Sequence, residues 1–219
     1  MHNLNNNKYD VLIFDCDGII FDTTHLKLKA FQETLSEFDT KHIEEFTNYF
    51  KENFGRSRYS HAKHFIENIL NKSFQIDLYN NIIKDFSIRC EKIYDDAELC
   101  AGVIEILEKA KNKYKYVASG SDQSELRKVF ENRDIGKYFM SVYGSPTEKN
   151  KLVKDICSEH KNKKILMIGD SEADLKASEN SNINFLFISR YSVDKKMIEL
   201  AKKGKFESAF DLKEIINCI

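Results

Sequence analysis

Residues Val11-Leu12-Ile13-Phe14 form an uninterrupted apolar run that stops abruptly at Asp15-Cys16-Asp17-Gly18. Four apolar residues in succession are too short and too continuous for an amphipathic helix. They specify a strand buried on both faces, as in a parallel sheet covered by helices. The carboxyl end of such a strand is where open α/β sheets place ligands. Two carboxylates there suit a hard cation such as Mg²⁺, which takes oxygen ligands. One of them is also suited to attack phosphorus, since aspartate can act as a covalent nucleophile. Gly18 permits a sharp turn and a close backbone approach. Read alone, Asp15 and Asp17 have a plainer role as helix caps or solvated turn residues.

The rest of the chain supplies partners for them. From about residue 24 to residue 96 no convincing strand occurs, and the apolar residues recur at helical spacing. Leu28, Phe31, Leu35 and Phe38 form one stripe, and Ile43, Phe46, Phe50 and Phe54 a second. Ala62, Phe65, Ile66, Ile69 and Leu70 form a third, and a fourth runs from Tyr79 through Ile82, Phe86 and Cys90 to Tyr94. These are core faces of helices. From Ala101 the pattern alternates. Strands are expected over 114–118, 140–143, 164–168 and 184–188. Helices are expected around Val103–Leu107, Leu126–Phe130 and Leu152–Cys157, with a last helix from Leu212 to Ile219. Asp122 and Glu125 read as a capping pair for the second of these. Strand–helix alternation implies a mostly parallel sheet with right-handed crossovers. The expected architecture is therefore an α/β, Rossmann-like, doubly wound parallel sheet with an inserted α-helical cap domain. Residues 1–22 and 97–219 would form the α/β core domain and residues 23–96 the helical cap domain.

Composition excludes several classes. The 219 residues suffice for such a core plus its insertion, and the 34 basic residues nearly balance the 35 acidic ones, a net charge of −1. No basic stripe points to nucleic acid. No apolar run approaches membrane-spanning length, and no leader-like apolar segment precedes Val11. Five widely spaced cysteines without a metal-binding pattern fit a reducing, cytoplasmic setting. Cys16 reads as a small buried hydrophobe rather than a nucleophile. Residues 1–7 are polar and expected to be poorly ordered.

Polar residues recur at successive strand ends. The first strand gives Asp15 and Asp17. The second gives Ser119, followed by Gly120. Past the third comes Lys149, and the fourth gives Asp170 with Asp174 four residues on. In a parallel sheet these ends share one edge and face one crevice. Phosphoryl transfer needs this set. Mg²⁺ held by Asp15 and Asp170 would neutralise phosphate charge. Lys149 would add a point charge and Ser119 a hydroxyl donor. Backbone N–H groups after Asp15 and after Ser119, at Gly120, would cradle phosphate oxygens. Asp17 would protonate the leaving alkoxide and later activate water, so its neighbours are expected to favour the neutral form in part of the cycle. Individually Ser119 also reads as a turn cap, Lys149 as part of a solvated helix face, Asp170 as an N-cap and Asp174 as an exposed helical acid.

Asp15-Cys16-Asp17-Gly18, Ser119, the downstream lysine and Gly169-Asp170-Ser171-Glu172-Ala173-Asp174 together resemble the four motifs of the haloacid dehalogenase-like hydrolase superfamily. Phe21-Asp22-Thr23 resembles the hinge leading into a helical cap there. The position of the cap implies the subclass of phosphoglycolate-type phosphatases and β-phosphoglucomutases. The resemblance implies that Asp15 becomes an aspartyl-phosphate. It also implies a Mg²⁺ site formed by the Asp15 carboxylate, the Asp17 backbone carbonyl and Asp170, with Asp174 supporting. The acid at Asp17 disfavours carbon–halogen cleavage. The third motif, Gly144-Ser145-Pro146-Thr147-Glu148-Lys149, departs from the commoner Lys-Pro form and leaves Lys151 as an alternative to Lys149.

Specificity is expected from the cap, where Gly55-Arg56-Ser57-Arg58 is the most suggestive segment. Arg56 or Arg58 would meet an anionic group of the substrate, unless both belong to a solvated helix start. His61 and His64 read as surface or core histidines. The leading expectation is a Mg²⁺-dependent phosphatase acting on a small phosphorylated metabolite, as a monomer or weak homodimer. A β-phosphoglucomutase-like phosphosugar mutase is the alternative. A phosphoaspartate signalling domain or a non-catalytic binding domain fits less well.

Overall fold

The structure, a computed structural model, describes residues 9–219. The expectation for residues 1–7 lies outside them. Strand β1 (Val11–Phe14) is followed by helices α1 (Thr24–Thr34), α2 (Thr40–Glu52) and α3 (Arg58–His64), a π-helical turn (Phe65–Ile69) and the long α4 (Ile76–Asp96). The alternating part then runs α5 (Val103–Lys109), β2 (Tyr114–Asp122), α6 (Gln123–Asn132), β3 (Ser141–Ser145), α7 (Lys149–Glu159), β4 (Ile165–Gly169), α8 (Glu172–Asn180), β5 (Asn184–Ile188), α9 (Lys195–Lys202) and β6 (Glu207–Ala209). It closes in 3₁₀ turns over Leu212–Cys218.

The six strands form one parallel sheet in the order β3-β2-β1-β4-β5-β6. This is the doubly wound, Rossmann-like arrangement, and its direction reverses between β1 and β4. Alternate residues of each strand face opposite layers. Leu12, Phe14, Val117, Leu166 and Ile168 pack with α5, α6 and the C-terminal turns. Val11, Ile13, Tyr116, Ala118, Ile165 and Met167 pack with α7, α8 and α9. Both faces are covered, which is why β1 reads as a continuous apolar run rather than an alternating one.

Two elements of the sheet layer escaped the sequence reading. Strand β6 has only three residues, Glu207-Ser208-Ala209, and no apolar run. Helix α9 buries a short stripe around Met197 between flanking lysines. The C-terminal segment keeps its apolar contacts but winds as 3₁₀ turns rather than as the expected α-helix. Strand β2 runs past Ala118 to Asp122, with a register shift between those two residues.

The helical insertion has its own apolar cluster. Phe31 stacks on Phe86 with ring centroids 3.7 Å apart, and Phe46 meets Phe65 edge-on at 5.6 Å. The chain enters and leaves the insertion at one place. The Asp22 N–H donates to Glu98 O at 2.9 Å, and the Cys100 N–H to Ile20 O at 2.9 Å. The helices are thus inserted without displacing β1 from the centre of the sheet. Tyr94, near the end of α4, packs into the sheet-side cluster instead.

A second set of contacts closes the insertion over the strand ends. Arg58 donates from Nη1 and Nη2 to Glu125 at 2.7 and 2.5 Å, and the Tyr59 hydroxyl donates to Asp122 at 2.9 Å. Asp122 caps α6 by accepting from the Ser124 and Glu125 N–H groups. The Glu125 side chain, expected to complete a capping pair, turns to Arg58 instead, because a buried guanidinium needs a carboxylate more than an exposed helix end does.

Phe46 is fully buried and touches four other aromatic or histidine rings besides Phe65. Phe46→Ala is expected to cost about 3–5 kcal/mol, read as a lower urea midpoint with the sheet's far-ultraviolet signal followed alongside.

Candidate active site

The carboxyl ends of β1 and β4 flank the point where strand order reverses, and they bring Asp15 and Asp170 together. Asp15, Asp170 and Asp174 are all buried, and each offers an oxygen within 4.8 Å of the others'. Asp174 lies in the first turn of α8. Its Oδ2 accepts from the Ser171 N–H at 3.1 Å and the Ser171 hydroxyl at 2.6 Å, which closes a capping box. Asp174 is therefore a buried structural acid, not an exposed one. Its other oxygen accepts from Lys149 at 2.6 Å, and Lys149 also reaches Asp15 Oδ2 at 3.0 Å. Lys151 points away and pairs with Asp155 on an exposed face of α7. Geometry thus brings Lys149, not Lys151, to the carboxylates.

Three buried carboxylates face a single ammonium. Burial, then the charge of Asp174, raises the Asp15 pKa, against the opposing pull of Lys149. Burial, then Asp15 and Asp174, pushes Asp170 well above the carboxylate range. Burial alone would lower Lys149, but Asp15 and Asp174 outweigh it and hold the ammonium charged. Both Asp170 oxygens are buried, and among the described residues neither has a hydrogen-bond partner. A carboxylate in that position is costly unless a cation meets it. The residues present therefore fit a divalent metal: an all-oxygen donor set, an orphaned acid and an excess of negative charge. Gly18 keeps the space open. Its φ is +80°, and a Cβ there would lie 2.3 Å from Asp170 Oδ2.

Asp17 has a different environment. Its Oδ1 accepts from the Thr23 hydroxyl at 2.5 Å and the Tyr94 hydroxyl at 2.8 Å. Its Oδ2 accepts from Lys27 at 2.6 Å and the Ser121 hydroxyl at 2.7 Å. Burial would raise its pKa, but the Lys27 charge and the hydrogen bonds from Lys27, Thr23 and Ser121 outweigh it, so the carboxyl stays below its usual range. The neighbours were expected to favour the neutral form in part of the cycle, and in this arrangement they favour the charged form instead. Cys16 between the two acids is buried, and burial together with the charge of Asp17 raises its thiol well above the ordinary range, so it packs rather than reacts.

Ser119 is buried beside Asp15, and its Oγ accepts the Ser121 N–H at 3.1 Å while its own proton stays available. Gly120 touches the insertion so closely that a Cβ would meet Gly55 O at 2.4 Å and Arg56 O at 2.8 Å. A cavity of about 30 Å³ lies there. Asp15, Asp17, Ser119 and Gly120 line it from the sheet, and Phe50, Phe54, Phe86, His61, Arg56 and Arg58 from the helices. The Arg58 fork expected to meet a substrate anion is already engaged by Glu125 and Ser87. Arg56 is exposed, and its backbone carbonyl lies against Gly120. His64 stacks on Tyr49 outside the cavity.

Lys27, Tyr94 and Ser121 are the site residues that sequence reasoning missed. Lys27 carried a usable signal. Thr24, Lys27, Leu28 and Phe31 lie at i, i+3, i+4 and i+7, so a charge sits on the buried stripe of α1. Tyr94 was hidden in an apolar stripe that read as core, and His61 is the buried core histidine that was one of its two expected readings.

Residues 12–188 match the haloacid dehalogenase-like hydrolase family. No curated protein matches the sequence significantly. Solved structures share the fold at low identity. A predicted phosphoglycolate phosphatase from Haemophilus somnus superposes with a TM-score of 0.74 at 15% identity, covering 96% of this chain and 97% of its own. CbbY from Rhodobacter sphaeroides, in complex with phosphate, gives 0.72 at 14% identity and covers 94% and 96%. The HAD-hydrolase YfnB from Bacillus subtilis, bound to magnesium, gives 0.64 at 14% and covers 95% and 97%.

The cage around Asp17 has a measurable pH signature. Because its folded pKa lies below the unfolded value, the stability it contributes is present above the ordinary carboxylate range and is lost as pH falls through the folded pKa. Lys27→Met leaves a buried carboxylate without its cation and is expected to cost about 3–5 kcal/mol at neutral pH. In that variant Asp17 takes up a proton more readily, so the cost shrinks towards about pH 4. Urea denaturation of both proteins across this range checks it, and a pH-independent difference would contradict it.

Proposed function

The chain belongs to the haloacid dehalogenase-like hydrolase family, and on that premise we propose that it is a Mg²⁺-dependent phosphatase acting on a small phosphorylated metabolite through an aspartyl-phosphate. The observation that carries the reading is the Asp170 carboxylate, unpartnered among the described residues, beside Asp15, with Lys149 bonded to both Asp15 and Asp174. In this reading residues 23–96 act as a cap over a core of residues 1–22 and 97–219. Structural neighbours bound to magnesium and to phosphate support it by analogy of fold.

Asp15 and Asp170 would hold the metal, with the Asp17 backbone carbonyl, and Asp174 would support it from behind. When bound, the ion supplies positive charge against which an anionic nucleophile and a phosphate can approach each other. Lys149 adds its charge at the Asp15 oxygen, and Ser119 donates its hydroxyl to a phosphate oxygen alongside the N–H groups after Asp15 and at Gly120. An Asp15 oxygen attacks phosphorus as the bond to the leaving oxygen breaks. The leaving oxygen takes a proton from Asp17. Water then attacks the phosphorus of the aspartyl-phosphate and gives its proton back to Asp17, and phosphate departs.

Asp17 must therefore leave the charged state in which Lys27 and Ser121 hold it. Lys27, Tyr94 and Ser121 are bonded to one another as well as to Asp17. Relaxing the Lys27 contact would let Asp17 take up a proton, and keeping it would leave Asp17 a base. A β-phosphoglucomutase-like phosphosugar mutase is the alternative reading, because the same core residues would serve it.

Hydrolysis of p-nitrophenyl phosphate should require added Mg²⁺ and stop in excess chelator. Asp15→Asn should lower kcat by about 10³-fold or more while leaving the circular dichroism spectrum intact. Activity that survives either change would refute the mechanism.

A further inference from the structure

A cation that takes one oxygen of Asp170 leaves the other buried and still in want of a donor, and ligating carboxylates are themselves held by hydrogen bonds. The polar groups around Asp170 are otherwise engaged. Ser192 donates to its backbone carbonyl at 2.6 Å, and the Ser171 hydroxyl donates to Asp174. A second unpartnered group lies beside it. Thr24 is wholly buried, and among the described residues its hydroxyl oxygen has no hydrogen-bond partner. A threonine in a helix can bond back to the carbonyl three or four residues earlier. Both of those carbonyls are taken. Phe21 O accepts the Gly18 N–H at 2.8 Å and the Thr23 N–H at 3.0 Å, and Ile20 O accepts the Cys100 N–H at 2.9 Å. The Thr24 hydroxyl is thereby left for a partner outside its own helix.

Gly18 brings the two groups together. A Cβ on it would lie 2.8 Å from Thr24 Oγ1 and 2.3 Å from Asp170 Oδ2. The two oxygens are therefore no further apart than those two distances laid end to end, on the side of Gly18 that its missing side chain leaves clear. An ionised carboxylate only accepts, whereas a hydroxyl both donates and accepts, so a bond between them runs from Thr24 to Asp170. The two residues belong to different layers. Asp170 follows β4 of the sheet, and Thr24 opens α1, the first helix of the insertion.

We propose that Thr24 is a positioning residue for the metal: as one Asp170 oxygen turns to the cation, the other accepts a hydrogen bond from the Thr24 hydroxyl. The proposal rests on the Mg²⁺ site of the reading above and extends it from the sheet to the helical insertion. Thr24 acts through Asp170 and touches neither the ester nor the attacking carboxylate. Because coupling between two equilibria is reciprocal, a cation held in this way also favours the seating of α1 against the strand ends.

Two measurements separate this role from a merely structural one. A hydroxyl buried without a partner contributes nothing to the metal-free fold. Thr24→Val, which keeps the shape of the side chain, should therefore leave the urea midpoint in chelator unchanged or higher. The same substitution should weaken Mg²⁺ binding by about 10- to 100-fold in calorimetric titration. Thr24→Ser keeps the hydroxyl and should retain most of the affinity. Thr24→Ala removes the hydroxyl with less bulk and decides the binding comparison where the valine variant folds poorly. Unchanged Mg²⁺ affinity in folded Thr24→Val or Thr24→Ala, or an equal loss in Thr24→Ser, would overturn the inference alone. So would a lower midpoint for Thr24→Val in chelator, which would mean that the hydroxyl is already bonded without the metal. An unsubstituted protein that takes up no Mg²⁺ would overturn the metal reading and the inference with it.

Discussion

Lys149 bridges two of three buried carboxylates and leaves the third without a partner. That imbalance, set at the point where the sheet changes direction, is the constraint on which the site depends. A buried acid without a counter-charge raises its pKa or recruits a cation. Asp170 is held where only a glycine, Gly18, can pass beside it. The surrounding elements then have evident purposes. The capping box of α8 fixes Asp174 so that its free oxygen meets Lys149, and the first turn of α7 delivers Lys149 to the strand ends.

The two aspartates of the first motif lie two residues apart and experience opposite electrostatics. Asp15 is among carboxylates, and its pKa is raised. Asp17 is enclosed by an ammonium and three hydroxyls, and its pKa is lowered. Paired acids whose environments push them apart are suited to divided roles. The cage of Asp17 is built from both layers. Ser121 comes from the sheet, Thr23 from the entry to the insertion, Lys27 from α1 and Tyr94 from α4. The position of the helices over the sheet is thereby coupled to the charge state of Asp17, and the Arg58–Glu125 and Tyr59–Asp122 contacts hold that position.

Much of this was legible in the chain. The apolar run of β1 and the strand ends at Ser119 and Asp170 follow from burial on both faces of a parallel sheet, and such burial leaves a plain mark in sequence. What was hidden shares a physical reason. Lys27 and Tyr94 lie on helical stripes whose apolar neighbours dominate the pattern, and a polar group there is informative only once its partner in another element is known. The pairing of Arg58 with Glu125 spans sixty-seven positions of sequence, and no local rule connects them. Strand β6 and helix α9 are short enough that tertiary contact, not propensity, decides them.

The direct test of the charge imbalance is to count protons as the metal binds. Carboxylates with raised pKa values carry part of a proton near neutral pH and must release it to a cation. Calorimetric titration of the protein with Mg²⁺, in buffers of different ionisation enthalpy near about pH 6.5, measures that release. The account predicts a net release of protons per Mg²⁺ bound, and loss of both the release and the binding in Asp170→Asn. Binding without proton release, or equal binding by Asp170→Asn, would contradict it.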